Sequence, residues 1–136
     1  MNYQREEELR EPVHEYFENK KFSVFDEVKL FARNIDVVAK KRDEVIAVEL
    51  KLRDWKKAID QARLNLRVSN YSFVALPEPV WDRIDRRIYS MSFEHGIGLL
   101  SVDGVTRQIM RPERSKRIQP YLRRRFLCSL QRSGLY

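Results

Sequence analysis

Residues 34–52, NIDVVAKKRDEVIAVELKL, hold two apolar runs joined by the polar stretch KKRDE. Each run is too short for a self-sufficient helix and rich in Val, Ile and Ala, so the pair is expected as strands 34–39 and 45–52. Two such strands cannot bury their faces alone, which commits the chain to a sheet covered by other elements. Three charged residues interrupt the runs: Asp36, Glu49 and Lys51. Pairing through a symmetric turn at residues 41–44 sets Lys40 opposite Val45, Val38 opposite Ala47 and Asp36 opposite Glu49. Lys51 then projects on the side of Glu49, and Ile46, Val48, Leu50 and Leu52 form a wholly apolar opposite face.

The remaining periodicities complete the pattern. Leu9, Val13, Tyr16 and Phe17 recur at helical spacing within residues 6–18, with Pro12 implying a late start or a kink. Residues 22–31 alternate, with Phe22, Val24, Val28 and Leu30 on one side and Phe25 and Phe31 on the other. Asp54 is placed to cap a helix of residues 55–67 lined by Trp55, Ile59, Ala62 and Leu66. YSFVALP at 71–77 reads as a fourth strand, and Trp81, Ile84, Ile88 and Met91 mark a helix closed near Gly96. Residues 97–110 read as a hairpin about Asp103-Gly104, and residues 120–131 as a helix carrying Leu122, Phe126 and Leu130. The order α-β-β-β-α-β-α-β-β-α predicts an α/β fold. In it three strands form an antiparallel meander, and the fourth, returning after a helix, runs parallel to a core strand.

At 136 residues the chain suits one domain, 1–136, with a core over about 6–77 and a further helix, hairpin and basic segment over about 78–136. Cys128 is the single cysteine and His14 and His95 lie far apart, so neither a disulfide framework nor a CxxC zinc site is available. No apolar run approaches the roughly 18 residues of a membrane span. MNYQREEELREP lacks the apolar stretch of a signal peptide, and the expectation is a cytoplasmic protein with no membrane partner. The net charge of +7 is uneven: from Arg107 onward nine basic residues face one acid, Glu113. Such a block is either a solubilising tail or the footprint of a polyanionic partner.

Opposed acids in a ladder are unfavourable, and Lys51 offsets part of that cost. A hard divalent cation offsets far more, and two carboxylates with the Leu50 carbonyl supply the oxygen ligands it prefers. The plain alternative is a solvated sheet face on which Lys51 makes an ordinary ion pair.

Asn34-Ile35-Asp36 at one strand, followed thirteen positions later by Val48-Glu49-Leu50-Lys51 in the next, resembles the PD-(D/E)XK nuclease superfamily. The resemblance covers about residues 6–77 and departs from the name motif where Ile35 replaces proline. It implies a restriction-endonuclease-like core with a mixed central sheet flanked by helices, plus a basic C-terminal extension. It also implies Mg²⁺, with Mn²⁺ as substitute, held by Asp36, Glu49 and the Leu50 carbonyl, and catalytic roles for Asp36, Glu49 and Lys51. Gln61, ten residues after Lys51, matches a glutamine of some members, and Glu6, in the context Glu6-Glu7-Glu8-Leu9, a further acid. Glu8 and Glu11 compete with Glu6 for that place. The implied activity is endonucleolytic hydrolysis of DNA, with a homodimer plausible for cutting two strands. Lys56, Lys57, Arg63, Arg111, Arg114, Lys116, Arg117, Arg123, Arg124 and Arg125 would contact phosphates. The competing expectation is a non-catalytic nucleic-acid-binding or assembly module on the same fold.

Overall fold

The computed structural model describes residues 2–132. A 3-10 turn, Glu6–Leu9, leads into α1 (Arg10–Glu18), followed by β1 (Ser23–Leu30), β2 (Arg33–Lys41), β3 (Glu44–Leu50), α2 (Trp55–Asn65) and β4 (Tyr71–Pro77). Then come α3 (Glu78–Trp81), α4 (Arg87–His95), β5 (Gly98–Asp103), β6 (Val105–Met110) and α5 (Pro120–Arg132). The strands form one sheet in the order β1-β2-β3-β4-β5-β6. The first three are antiparallel, β3-β4 and β4-β5 are parallel, and β5-β6 closes the sheet as an antiparallel hairpin. The fold is therefore mixed α/β, with the expected meander and the expected parallel return of β4.

Helices cover both faces. On one side Leu9, Val13 and Phe17 of the first helical segment pack on Val37, Val48, Leu50 and Phe73. The apolar stripe Ile46, Val48, Leu50 lies here as expected, with Leu52 packed at its margin. On the other side Trp55, Ala58, Ile59 and Ala62 of α2 and Ile88 of α4 cover Val74, Leu76 and Leu99. Beside them Phe126 and Leu130 of α5 cover Phe25, Val28, Val38 and Ala47. The basic C-terminal segment is thus not a solubilising tail: its helix completes the core.

Pro12 falls in the first turn of α1, where an N–H would lack a helical partner anyway, and the preceding turn is 3-10. Asp54 caps α2, its Oδ1 accepting from the Lys57 N–H at 3.3 Å. The helix expected around Trp81 and Ile88 is divided in two. Asp85 breaks it, its Oδ1 accepting from the Arg87 N–H at 2.9 Å to start α4 afresh. The reversal after β5 is tighter than two residues. Asp103 pairs with Val105, and Gly104 turns alone at φ 71°.

Strict alternation in β1 is the expectation that fails most informatively. Phe25, Val28 and Leu30 share one cluster, although Phe25 and Val28 are three residues apart. Glu27 between them adopts φ 52°, a left-handed conformation that rotates the strand and exchanges its faces. β2 makes the matching exchange, since Ile35 and Val38 also face the same cluster. The ladder pairs Asp26 with Val37 and Val28 with Ile35, and passes over Glu27 and Asp36. Phe31, expected on the face of Phe25, stands 57% exposed in the β1–β2 turn at φ 57°.

Candidate active site

The β2–β3 register is the expected one, running from Lys41 opposite Glu44 to Val37 opposite Val48. It stops one step short of Asp36 and Glu49. Instead of entering the ladder, Asp36 turns its carboxylate onto the neighbouring strand, and Oδ2 accepts the Leu50 N–H at 2.8 Å. The face exchange in β1 and β2 releases Asp36 for this role. One carboxylate oxygen is engaged by backbone, and the Asp36 charge stays near enough to act on Glu49.

Glu49 projects from β3 on the α2 side and is 1% exposed. Burial, and after it the Asp36 charge, push its carboxyl up from the usual carboxylate range to about 7. Two partners oppose this. Asn65 Nδ2 donates to Oε2 at 2.8 Å, and Arg33 Nη1 donates to the same oxygen at 3.2 Å. Arg33 is fixed in turn by the Gln61 carbonyl at 3.0 Å and by Asn65 Oδ1 at 2.5 Å. Asn65, fully buried at the end of α2, therefore bridges the acid and its counter-ion.

This corrects one expectation. The cation that compensates Glu49 is Arg33, not Lys51. The Lys51 ammonium lies 4.0 Å from Glu6 Oε1, with its side chain 15% exposed, so it is held at the exit of β3 by the 3-10 turn. Of the three N-terminal acids weighed, Glu6 is the one paired with Lys51. Glu8 instead accepts from the backbone N–H of Gln4 and of Arg5 at 2.9 and 2.7 Å, which lowers its pKa, and Glu11 is exposed on α1. Gln61 reaches the site through its main chain. Its side-chain oxygen is buried with no hydrogen-bond partner among the described residues, an acceptor in need of a donor.

No group of three or more His, Cys, Asp or Glu side chains converges among the described residues. The donor set is two acids: Asp36, with one oxygen engaged by backbone, and Glu49, with Oε2 engaged by Arg33 and Asn65. With the Leu50 carbonyl this suits Mg²⁺, which keeps several waters and takes one or two carboxylates. Arg33 and Asn65 escaped sequence reasoning. The signals were weak: an arginine at a strand start, and an asparagine one position before the apolar Leu66 at a helix end.

The proposed phosphate contacts divide into two groups. Lys56, Lys57, Arg111, Lys116, Arg117, Arg124 and Arg125 are exposed. The rest are partly buried or paired. Arg63 is half-buried, with a buried Nε that has no hydrogen-bond partner among the described residues. Arg114 donates to Glu44 Oε1 at 3.1 Å and the Tyr71 hydroxyl at 3.3 Å. Arg123 donates to the Val68 carbonyl at 2.9 Å, to Asn70 Oδ1 at 3.1 Å and to the Asp43 carbonyl. Its pKa is lowered, first by burial.

The fold defined by this sheet and its helices has a solved counterpart. SPO1766, a protein of unknown function from Silicibacter pomeroyi, is similar over 98% of this chain and 88% of its own, with a TM-score of 0.74 and 15% identity. A weaker likeness, with a TM-score of 0.43 and 11% identity, links 74% of this chain to 61% of Pyrococcus furiosus SfsA in complex with Ca²⁺. No family model and no curated protein matches the chain.

Proposed function

We propose that the chain is a metal-dependent nuclease acting on DNA, of the PD-(D/E)XK type. The observation that carries this reading is the coupling of Asp36 to a buried Glu49 whose carboxyl is pushed up to about 7. Glu49 is buried and held by Arg33 on one oxygen, and the half-buried Asp36 beside it adds a second negative charge that one guanidinium does not balance and a bound cation would. Asp36, Glu49 and the Leu50 carbonyl would hold Mg²⁺ or Mn²⁺. The ion would supply charge neutralisation at the scissile phosphate and a more acidic water.

The chain's own groups have distinct roles in this reading. Lys51, tethered by Glu6, orients the attacking water and stabilises charge developing on the phosphate. Asn65 and Arg33 hold Glu49 Oε2, leaving the other oxygen for the ion. Gln61 Oε1 accepts from a water of the site. A homodimer would bring two such centres to the two strands of a duplex in one encounter. The exposed cations of α2 and the C-terminal segment supply phosphate contacts.

Nicking of supercoiled plasmid with Mg²⁺, beside Asp36→Ala and Lys51→Ala, tests it. The expected result is metal-dependent cutting that Lys51→Ala reduces at least a hundredfold while DNA binding persists. Binding without cutting in the unaltered protein would leave the non-catalytic binding module as the correct description.

A further inference from the structure

The turn between β1 and β2 does something that folding alone discourages. It places a phenylalanine in the left-handed region at φ 57° and leaves that residue 57% exposed. An L-residue with a large side chain avoids that conformation, and an apolar ring gains nothing from water. Phe31 overhangs a cavity of about 470 Å³ between the end of β1 and α5. Leu122 and Phe126 help form its apolar lining, and Lys29, Arg124 and Arg125 its charged lining. No acid lines it. Two residues beyond Phe31, Arg33 grips Glu49, so the cavity opens from the same turn that supplies the site's guanidinium.

We propose that this cavity seats an unpaired nucleotide of a DNA strand, its base against Phe31 and its flanking phosphates on Lys29, Arg124 and Arg125. An aromatic platform edged by cations is the arrangement that holds single strands, because every base has a face to stack and every linkage a charge to neutralise. The volume falls in the range of sites that enclose a small organic group. A flat duplex has no base free to enter. The inference rests on the reading of DNA as partner, but not on hydrolysis.

Cys128, the single cysteine and exposed, lines the same cavity and reports on its occupancy. The test uses the full chain in EDTA with a labelled oligothymidylate of about twelve residues. The expected result is that the strand slows iodoacetamide alkylation of Cys128 several-fold and that a blunt duplex does so much less. Phe31→Ala weakens binding roughly tenfold, and Phe31→Trp restores it. Arg124→Gln with Arg125→Gln flattens the salt dependence. Unchanged alkylation with the strand bound overturns the proposal, as does unchanged affinity in Phe31→Ala or no binding at all. Protection by anionic phospholipid vesicles but not by the strand overturns it too. Because EDTA is present, a failure of the nuclease reading shows only in the cutting assay and leaves this outcome separate.

Discussion

Glu49 gives the stability of the chain a pH dependence with a definite sign. Between the ordinary 4.5 and about 7 the folded chain keeps a proton that the unfolded chain has lost. Stability is therefore greatest below the lower value, falls as pH rises through the window, and levels off above it. The effect is on the order of 3 kcal/mol. Urea unfolding from pH 4.5 to 8.5 should show this decline, and Glu49→Gln should flatten most of it. Mg²⁺ should raise the melting temperature more at pH 8 than at pH 5.5, since a proton on Glu49 competes with the cation. Equal shifts at both pH values would separate Glu49 from the metal. The register that brings Asp36 near Glu49 was legible from β-strand periodicity and a symmetric turn, but their direct opposition was not, because the ladder ends at Val37 opposite Val48 and Asp36 turns onto the Leu50 N–H. Arg33 and Asn65 were not, because their meeting depends on how α2 lies over the sheet, which no local pattern records.

The elements divide along the same line. Strand identities, the meander and the helices on either side follow from runs of Val and Ile and from helical spacing. The exchange of faces in β1 does not, because nothing near Glu27 announces a left-handed residue: no glycine or asparagine stands there. Nor does charge density reveal that α5 is a structural helix. Its docking is visible only in where Arg123, Phe126 and Leu130 end up. Arg123 ties α5 to the β2–β3 turn and the β4 approach. Arg123→Ala should therefore cost about 2 kcal/mol in chemical denaturation, by leaving acceptors short of a donor. Arg124→Ala, on the exposed side of the helix, should change stability by no more than about 0.5 kcal/mol. Equal losses would mean that the helix is held by its apolar face alone.

Because α5 completes the core, deleting the C-terminal segment would expose the cluster beneath Phe126 and confound any binding measurement. Point changes are the cleaner probe of the charge field. Neutralising Lys116 and Arg117, both exposed, should lower affinity for DNA uniformly across sequences. It should also reduce the slope of log affinity against log salt by roughly 0.7–0.9 per lost contact. A constant slope would place the polyanion elsewhere on the surface. The bend at Glu27 has one more effect, on how copies of the chain meet. β1 is an outer strand of the sheet, and its row of outward-facing amides and carbonyls is broken midway by that single twisted residue. A rim interrupted in this way is a poor template for a neighbouring strand. The same irregularity that releases Asp36 toward β3 thereby discourages the concentrated protein from stacking into fibrils along that side.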